Sequence, residues 1–217
     1  MILPLHTIAE AERAAPAVRE QLARRGLVAY PTETVYGLGS AADGAAVAAL
    51  AELKGRRADK PFLLLVSSRE MAERFGLAFS PAANALAQAF WPGPLTLVLP
   101  GGEGRLPDAL RGPEGGIAVR HTSHRPMARL IEVLGEPLTS TSANRPGQAP
   151  AAGAEQITTL FPAEYASGEL LVLDGGVLGN VPPSTLVDCT RRERTTLVRE
   201  GALPRAELRR AVGRLAP

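Results

Sequence analysis

The sequence predicts an α/β protein built on one twisted, open, mixed sheet of about seven strands with flanking helices. Short apolar runs bounded by glycine and proline recur along the chain, and segments of helical period lie between them. Of the 217 residues, 45% are hydrophobic and 21% are charged, which is typical of a globular protein. Because no repeat or linker divides the chain, we expect a single domain over residues 1–217. The pattern leaves parallel and antiparallel pairing open and favours a mixture.

A helix is predicted at the start of the chain. Thr7 and Glu10 have the spacing of a capping box, and the segment from Ile8 to Arg25 has the pattern of a helix that ends at Gly26. Pro16 lies inside this segment, where its ring and its missing N–H should kink or restart the helix.

The stretch from Gly26 to Pro61 predicts a pocket for an anion. The apolar run 27–30 predicts a buried strand, and it leads into residues 32–39, a loop of hydroxyls and glycines without a polar/apolar period. An alanine-rich helix over residues 45–53 follows and ends at the cationic segment 54–61. A strand, a hydroxyl loop, a helix and a cationic loop therefore follow one another directly.

The lysines of the chain are concentrated in this cationic segment. The chain has 24 lysines and arginines, and only two of them are lysines, Lys54 and Lys60. Lysine presents a compact, rotatable ammonium that serves readily as a point-charge ligand for phosphate. The clustering therefore indicates phosphate binding, with a solvated turn as the alternative.

Strands and helices continue to alternate along the rest of the chain. Further strands are predicted at residues 62–66, 95–99, 116–120, 170–173 and 195–199, with two more beginning near residues 138 and 184. Helices are predicted from Ser67 to Arg74 with Glu70 completing a capping box, from Ser80 and Pro81 to Phe90, over residues 125–134 and 154–160, and after Pro204. The glycine- and proline-rich loops 101–116 and 145–153 are both candidates to close over a site.

Composition excludes several classes of protein. A net charge of +2 with a pI of 9.0 suits a local cationic groove better than a basic surface, and 4% aromatic residues leave few platforms for stacking bases. The single cysteine, Cys189, allows neither an intrachain disulfide nor a cysteine-based zinc site, which agrees with a reducing compartment. No apolar run approaches the length of a membrane span and no signal-peptide pattern opens the chain, so we expect a cytoplasmic protein without a membrane segment.

Polar residues at predicted strand ends are candidates for ligand binding. Arg120 ends a predicted strand, where open α/β sheets bind ligands, so it is suited to a carboxylate or phosphate; a solvated arginine is the alternative. Residues 139–142 are four consecutive hydroxyls followed by Asn144, and they need a polar ligand or a backbone network, because each unpaired buried group costs roughly 1–3 kcal/mol. His121 and His124 make a weak metal site, and His124 is interpreted as a helix cap or a surface residue.

Five ordered blocks of residues together resemble the YrdC/TsaC family of threonylcarbamoyl-AMP synthases. The similarity covers about residues 26–201, nearly the whole chain. The chain is similar to the short, single-domain form of the family. The blocks are Tyr30–Gly39, Lys54-x-Arg56 with Lys60–Pro61, Trp91–Thr96, Ser140–Asn144 and Pro183–Thr185.

The resemblance implies a concave cationic cavity and a defined reaction. L-threonine, bicarbonate and ATP with Mg²⁺ would give L-threonylcarbamoyl-AMP and pyrophosphate, the first step toward threonylcarbamoyladenosine in tRNA. The partners would be tRNA-modifying proteins, and the protein would carry no dedicated metal cage. The arginines of the C-terminal helix predict a solvated face, with contact to RNA as the alternative.

The resemblance also implies a role for each motif residue. The threonine side of the site would comprise Thr34, Tyr36, Arg120, Ser140 and Ser184. The ATP side would comprise Lys54, Arg56, Lys60, Ser142, Asn144 and Arg199, with Lys54, Arg56 and Lys60 as the catalytic cations that stabilise the leaving pyrophosphate. Both reactants are anionic, and the sequence offers cations but no evident His-Asp or nucleophilic-serine pair, which favours catalysis by positioning and electrostatics.

Two positions depart from the family pattern. Thr122 stands where an Arg-x-Pro-x-His run has its proline, and Pro146-Gly147 stand where Ser-Gly is frequent. Besides the synthase, a carbamoyl-handling relative of the HypF or YciO type is the enzymatic alternative; the chain lacks the cysteine clusters of HypF, and it keeps both lysines, which argues against YciO. A paralogue that binds nucleotide or double-stranded RNA without synthase activity is the third reading; the modest net charge disfavours it.

Overall fold

A computed structural model of the chain describes residues 1–55 and 61–216. Its strands are β1 (Ile2–Pro4), β2 (Leu27–Tyr30), β3 (Gly37–Gly39), β4 (Leu63–Val66), β5 (Leu95–Leu99), β6 (Ile117–His121), β7 (Leu138–Ser142), β8 (Leu170–Asp174), β9 (Thr185–Arg191) and β10 (Arg194–Arg199). Its helices are α1 (Ile8–Ala23), α2 (Gly44–Leu53), α3 (Arg69–Arg74), α4 (Pro81–Phe90), α5 (Arg125–Leu134), α6 (Ala154–Leu160), α7 (Pro162–Ala166) and α8 (Arg205–Val212), with a 3₁₀ helix at Asp108–Leu110.

The strands form one open, mixed sheet in the order β1-β8-β2-β3-β7-β4-β6-β5-β9-β10. The pairs β1–β8, β2–β8, β4–β6 and β5–β9 are parallel, and the other neighbours are antiparallel. The α/β class with a mixed sheet is confirmed, but the described residues hold ten strands where the sequence predicts about seven. The sequence does not predict β1 and β3, because each has three residues and shows no periodic pattern.

Helices cover the sheet and bury its apolar residues. Helices α1 and α5 pack against each other, α1 also against β2 and α5 against β4, while α6 and α7 pack on β8. The inner face of α5 buries Met127, Leu130 and Ile131, as their helical spacing predicts. Within residues 1–55 and 61–216, no helix combines the length and the apolar character that crossing a membrane would need.

The start of α1 follows its predicted cap. Thr7 Oγ1 accepts a hydrogen bond from Glu10 N, and the Glu10 carboxylate accepts one from Thr7 N, so the capping box is confirmed. The helix is continuous through Pro16, and the predicted restart is wrong. Proline removes a single hydrogen bond from the helix, and the packing of α1 on α5 holds the turns on either side.

One predicted cap is shifted by a residue. Ser68, and not Ser67, caps α3, since its hydroxyl accepts a hydrogen bond from Met71 N at 3.1 Å. The hydroxyl of Ser67 instead lies 3.6 Å from the sulfur of Met71. The cap of α4 by Ser80, with Pro81 in the first turn, is confirmed.

The short strand β3 replaces part of the predicted loop 32–39. It pairs antiparallel with β2 on one side and with β7 on the other. Tyr30 donates its hydroxyl to Thr139 O at 2.8 Å, and a Cβ at Gly39 would lie 2.0 Å from that same oxygen. Glycine at this position therefore permits the close approach that brings residues 32–36 beside the hydroxyls of β7.

Replacing Gly39 with alanine is expected to destabilise the protein by about 3 kcal/mol. The added methyl group cannot fit against Thr139 O unless β3 separates from β7. The midpoint of urea unfolding, followed by circular dichroism, measures the loss.

Gly44→Ala is the matched control for this substitution. Gly44 is the first residue of α2, and the nearest atom to a Cβ there would be on Pro107, 3.9 Å away. Alanine at this position is expected to leave stability unchanged or to raise it by up to about 1 kcal/mol. Equal midpoints for Gly39→Ala and the wild type would contradict the close packing described for β3.

Candidate active site

A cavity of about 740 Å³ opens over the middle of the sheet, between β4–β7, β9 and the loops that follow β2, β7 and β8. This volume is in the range of small-molecule sites in proteins. The lining includes these residues that the sequence assigns to the site: Thr34, Arg120, Ser140, Ser142, Asn144, Ser184 and Arg199. Lys54 and Tyr36 bind segments that line the cavity, and Arg56 and Lys60 lie outside the described residues.

The loop after β2 forms a compact turn of hydroxyls. Thr32 donates its hydroxyl to Val35 O at 2.7 Å and accepts from the amides of Thr34 and Val35 at 3.2 Å each. The hydroxyls of Thr32 and Thr34 lie 3.1 Å apart. The Thr34 oxygen accepts a hydrogen bond from Arg120 Nη2 across the sheet at 3.0 Å.

Arg120 supplies a buried cation to the cavity wall, with 4% of the residue exposed. Its Nη2 lies 2.6 Å from Glu33 Oε1 and donates to Thr34 Oγ1 at 3.0 Å. The other carboxylate oxygen of Glu33 accepts a hydrogen bond from Thr122. Among the described residues, the buried Nε of Arg120 has no hydrogen-bond partner. Protein groups thus fix one nitrogen of the guanidinium and leave other donors for a ligand.

The charge of Arg120 keeps Glu33 ionised. Burial raises the pKa of the Glu33 carboxyl, but the attraction of Arg120 and the hydrogen bonds from Thr122 and Arg120 outweigh it, so the pKa lies below its usual value. Glu33 is therefore an anion at neutral pH. A carboxylate held in this way orients its neighbours and is a poor proton acceptor, since a general base works best with a pKa near the operating pH.

Lys54, directly after α2, hydrogen-bonds to residues at the end of β7 and directly after it. Its ammonium is buried and donates to Ser142 O at 3.0 Å, to Asn144 Oδ1 at 2.7 Å and to Asn144 O. Ser142 also donates its hydroxyl to Asn144 Oδ1 at 2.7 Å. These bonds hold Ser142 and Asn144 at the cavity wall and place a positive charge behind them.

A second pair of hydroxyls lies at the start of β9. Thr96 Oγ1 and Ser184 Oγ are 2.8 Å apart, and both residues are buried. Gly201 allows the neighbouring chain to pass closely here, because a Cβ at this position would lie 2.1 Å from Pro183 O. The cavity wall therefore presents one hydroxyl from β5 and one from the residue directly before β9.

Arg199 adds an exposed cation at the mouth of the cavity. It donates from Nη2 to Ser184 O at 2.8 Å. Partial removal of water around the guanidinium and the charge of Arg120 lower the pKa of Arg199. Among the described residues no carboxylate forms an ion pair with Arg199. An anion in the cavity would relieve the repulsion between the two arginines.

Tyr36 hydrogen-bonds to the loop after β8, which lines the cavity further along. Its hydroxyl donates to Gly176 O at 2.8 Å and accepts from Gly175 N at 3.0 Å, and burial raises the pKa of Tyr36 to about 12. Asp174 accepts a further hydrogen bond from Gly176 N at 2.8 Å. These bonds fix the beginning of a loop whose residues 178–184 line the cavity.

Sequence reasoning missed Glu33, Thr96 and Thr122 as site residues. Glu33 and Thr96 lie inside the five blocks, but no local pattern shows that Glu33 meets an arginine far along the chain. Thr122 could have been singled out from the sequence, since it stands where the family pattern has a proline. The interpretation of His124 as a helix cap is confirmed, because its Nδ1 accepts a hydrogen bond from Met127 N at 3.2 Å.

Known proteins resemble the chain in sequence and fold. Residues 20–201 match the model of the Sua5/YciO/YrdC family, which carries the description "Telomere recombination". The chain is 40% identical to the threonylcarbamoyl-AMP synthase of Thiobacillus denitrificans over 85% of this chain and 95% of that protein. The structure of P. abyssi Sua5 complexed with L-threonine matches with a TM-score of 0.85 at 35% identity, over 100% of this chain and 63% of that chain. E. coli YciO matches with a TM-score of 0.78 at 25% identity, over 94% of this chain and 95% of that chain.

Glu33→Gln is expected to lower the free energy of unfolding at pH 7 by about 2 kcal/mol, because buried Arg120 loses its counter-charge. The pKa of Glu33 is lower in the folded protein than in the unfolded chain. The stabilisation by the carboxylate is therefore complete above the unfolded pKa of about 4.3 and is lost as the pH falls through the folded value. Urea unfolding at pH 7 and at about pH 3 should show the gap between variant and wild type closing in acid.

Glu12→Gln is the control for this experiment. Glu12 pairs with Arg129 at 2.7 Å on the surface, where both side chains are largely solvated, so no measurable change is expected at either pH. A gap between Glu33→Gln and the wild type that stayed constant with pH would contradict the lowered pKa.

Proposed function

The chain belongs to the Sua5/YciO/YrdC family, and from this premise we propose that it is an L-threonylcarbamoyladenylate synthase. It would convert L-threonine, bicarbonate and ATP into threonylcarbamoyl-AMP and pyrophosphate, acting as an ATP-dependent nucleotidyltransferase. The observation that carries the proposal is a single cavity that joins a buried arginine with a hydroxyl wall to the Lys54–Asn144 cluster. The 40% identity to a synthase relative supports it, against 25% to YciO.

The threonine end of the cavity is assigned to Arg120 and its hydroxyl neighbours. The remaining donors of the Arg120 guanidinium suit the carboxylate of an amino acid. Thr34, Ser140 and Ser184 line the same cavity and offer partners for the amine and hydroxyl of threonine. The similar P. abyssi Sua5 structure is a complex with L-threonine, which supports an amino-acid site in this fold. Tyr36 shapes this end by holding the loop after β8.

The nucleotide end is assigned to Lys54, Ser142, Asn144 and Arg199. The ammonium of Lys54 donates to three described acceptors, so it supplies charge to the phosphates while keeping Asn144 in place. Arg199 is exposed at the cavity mouth and is free of carboxylate partners among residues 1–55 and 61–216, which suits a phosphate or the nucleotide. Arg56 and Lys60 are proposed to complete the triphosphate site from outside the described residues.

The reaction follows from charge and position. The amine of threonine combines with bicarbonate and loses water to give a carbamate, and a carbamate oxygen then attacks the α-phosphorus of ATP as pyrophosphate leaves. Carbamate and triphosphate are both anions, so the first requirement is to hold them together in line. Arg120 and Arg199 would reduce their repulsion, and Lys54 with Arg56 and Lys60 would stabilise the pyrophosphate.

Mg²⁺ is proposed to enter with ATP, coordinated by phosphate oxygens and water. The described lining of the cavity contains hydroxyls and cations, and the nearby Glu33 carboxylate is already bound by Arg120 and Thr122. Threonylcarbamoyl-AMP would pass to tRNA-modifying partner proteins in the cytoplasm. The exposed Arg209 and Arg210 of α8 would be the first place to look for RNA contact.

Purified protein is expected to release pyrophosphate from ATP only when L-threonine and bicarbonate are both present. Lys54→Ala is expected to lower this rate by about 100-fold, since the positive charge behind Ser142 and Asn144 and the bonds that hold these residues are lost. An enzyme-coupled pyrophosphate assay, with each co-substrate omitted in turn, measures both effects.

Arg210→Ala is the control, because it removes an exposed cation on α8 away from the cavity and should leave the rate unchanged. Circular dichroism would verify that Lys54→Ala is folded. Folded wild-type protein that binds ATP but releases no pyrophosphate under any combination would overturn the synthase proposal and favour a YciO-like or RNA-binding paralogue.

Arg199→Ala is expected to raise the KM for ATP about tenfold, with a smaller change in the KM for threonine, because it removes a cation from the nucleotide end. Initial rates at varied ATP and at varied threonine separate the two constants. Arg194→Ala, an exposed cation on the same strand that does not line the cavity, should leave both constants unchanged. Equal rises in both constants for Arg199→Ala would contradict its assignment to the nucleotide end.

A further inference from the structure

Thr122 is a fully buried residue directly after β6, two positions beyond Arg120, with 0% of its surface exposed. Its hydroxyl donates to Glu33 Oε2 and accepts from His124 N at 3.2 Å, the backbone position that caps α5. One side chain therefore connects the end of β6, the start of α5 and the loop after β2. The proline of the family's Arg-x-Pro-x-His run has no hydroxyl, so it could not make this connection.

A series of hydrogen bonds and one ion pair leads from Thr122 into the cavity. One carboxylate oxygen of Glu33 accepts a hydrogen bond from Thr122, and the other forms an ion pair with Arg120 at 2.6 Å. Arg120 Nη2 then donates to Thr34 Oγ1 at 3.0 Å, and the Thr34 hydroxyl lies 3.1 Å from that of Thr32. Thr122, Glu33, Arg120 and Thr34 thus form an unbroken chain.

This chain restricts the rotation of the Glu33 and Arg120 side chains. The Glu33 carboxylate accepts a hydrogen bond from Thr122 on one oxygen and pairs with Arg120 through the other, so it cannot turn about its last bond without losing one of these contacts. Arg120 Nη2 donates to Thr34 and lies 2.6 Å from the Glu33 carboxylate, so protein groups hold this nitrogen and leave Nη1 as a donor for a ligand. Nε is buried and has no hydrogen-bond partner among the described residues. A guanidinium whose orientation is fixed in advance loses less conformational entropy when it binds a carboxylate.

We propose that Thr122 is a positioning residue for the substrate carboxylate, acting through Glu33 on Arg120. The inference rests on the proposed function, because it takes the carboxylate to be that of L-threonine. Without the Thr122 hydroxyl, one oxygen of Glu33 loses its hydrogen-bond donor, and the carboxylate is free to rotate about its last bond. Arg120 then keeps its charge but not its orientation, so affinity for the amino acid falls while the nucleotide end is unaffected.

The test compares Thr122→Val with Thr122→Ser in the full-length protein. Valine keeps the shape of threonine and removes the hydroxyl, whereas serine keeps the hydroxyl. Isothermal titration calorimetry gives the Kd for L-threonine, and pyrophosphate release gives the KM for threonine and for ATP. Thr122→Val is expected to weaken threonine binding about tenfold, as for the loss of a hydrogen bond to a charged group, with the KM for ATP unchanged. Thr122→Ser should stay within about twofold of the wild type.

Thr195→Val is the matched control, since Thr195 is also a buried threonine but lies on β10 and does not line the cavity. It should leave the Kd for threonine unchanged even if it lowers stability. Thr122→Val with wild-type threonine affinity, or with equal losses for threonine and ATP, would overturn the positioning role alone. A wild-type protein that neither binds L-threonine nor releases pyrophosphate would overturn the proposed function first, and the inference with it.

Discussion

The ion pair between Arg120 and Glu33 is the interaction on which the organisation of the cavity depends. It joins the loop after β2 to β6, although β3, β7 and β4 lie between these strands in the sheet. A buried pair of this kind is weak support for stability, because taking two charges out of water costs about as much as their attraction returns. Its value lies in orientation, since a buried arginine with a fixed carboxylate can present its remaining donors in one direction.

Close backbone packing is what makes that pair reachable. The contact of Gly39 with Thr139 O and the hydroxyl of Tyr30 draw β2, β3 and β7 together, and the turn at Thr32 then aims Thr34 at Arg120. A side chain at position 39 would lie 2.0 Å from Thr139 O, so β3 and β7 could not keep their present spacing. Backbone geometry and charge placement are therefore parts of one arrangement.

The sequence predicts those parts of this arrangement that local patterns determine. The buried strand at 27–30, the capping box at Thr7 and Glu10 and the helix face of α5 depend on neighbours along the chain, and all three are confirmed. The strand β3 and the Glu33–Arg120 pair depend on residues far apart in sequence, and three residues or one carboxylate carry no periodic signal. The departure at Thr122 was visible, but its meaning required the position of Glu33.

The two ends of the cavity use their cations differently, and the difference follows from what each would bind. Arg120 is buried and oriented by a carboxylate, which suits a small ligand that must be recognised in one pose. Arg199 is exposed and bound only through Ser184 O among the described residues, which suits a phosphate chain whose charge matters more than its exact direction. A reaction between two anions needs both properties, because the attacking carbamate must be aimed while the charge of the triphosphate must be neutralised.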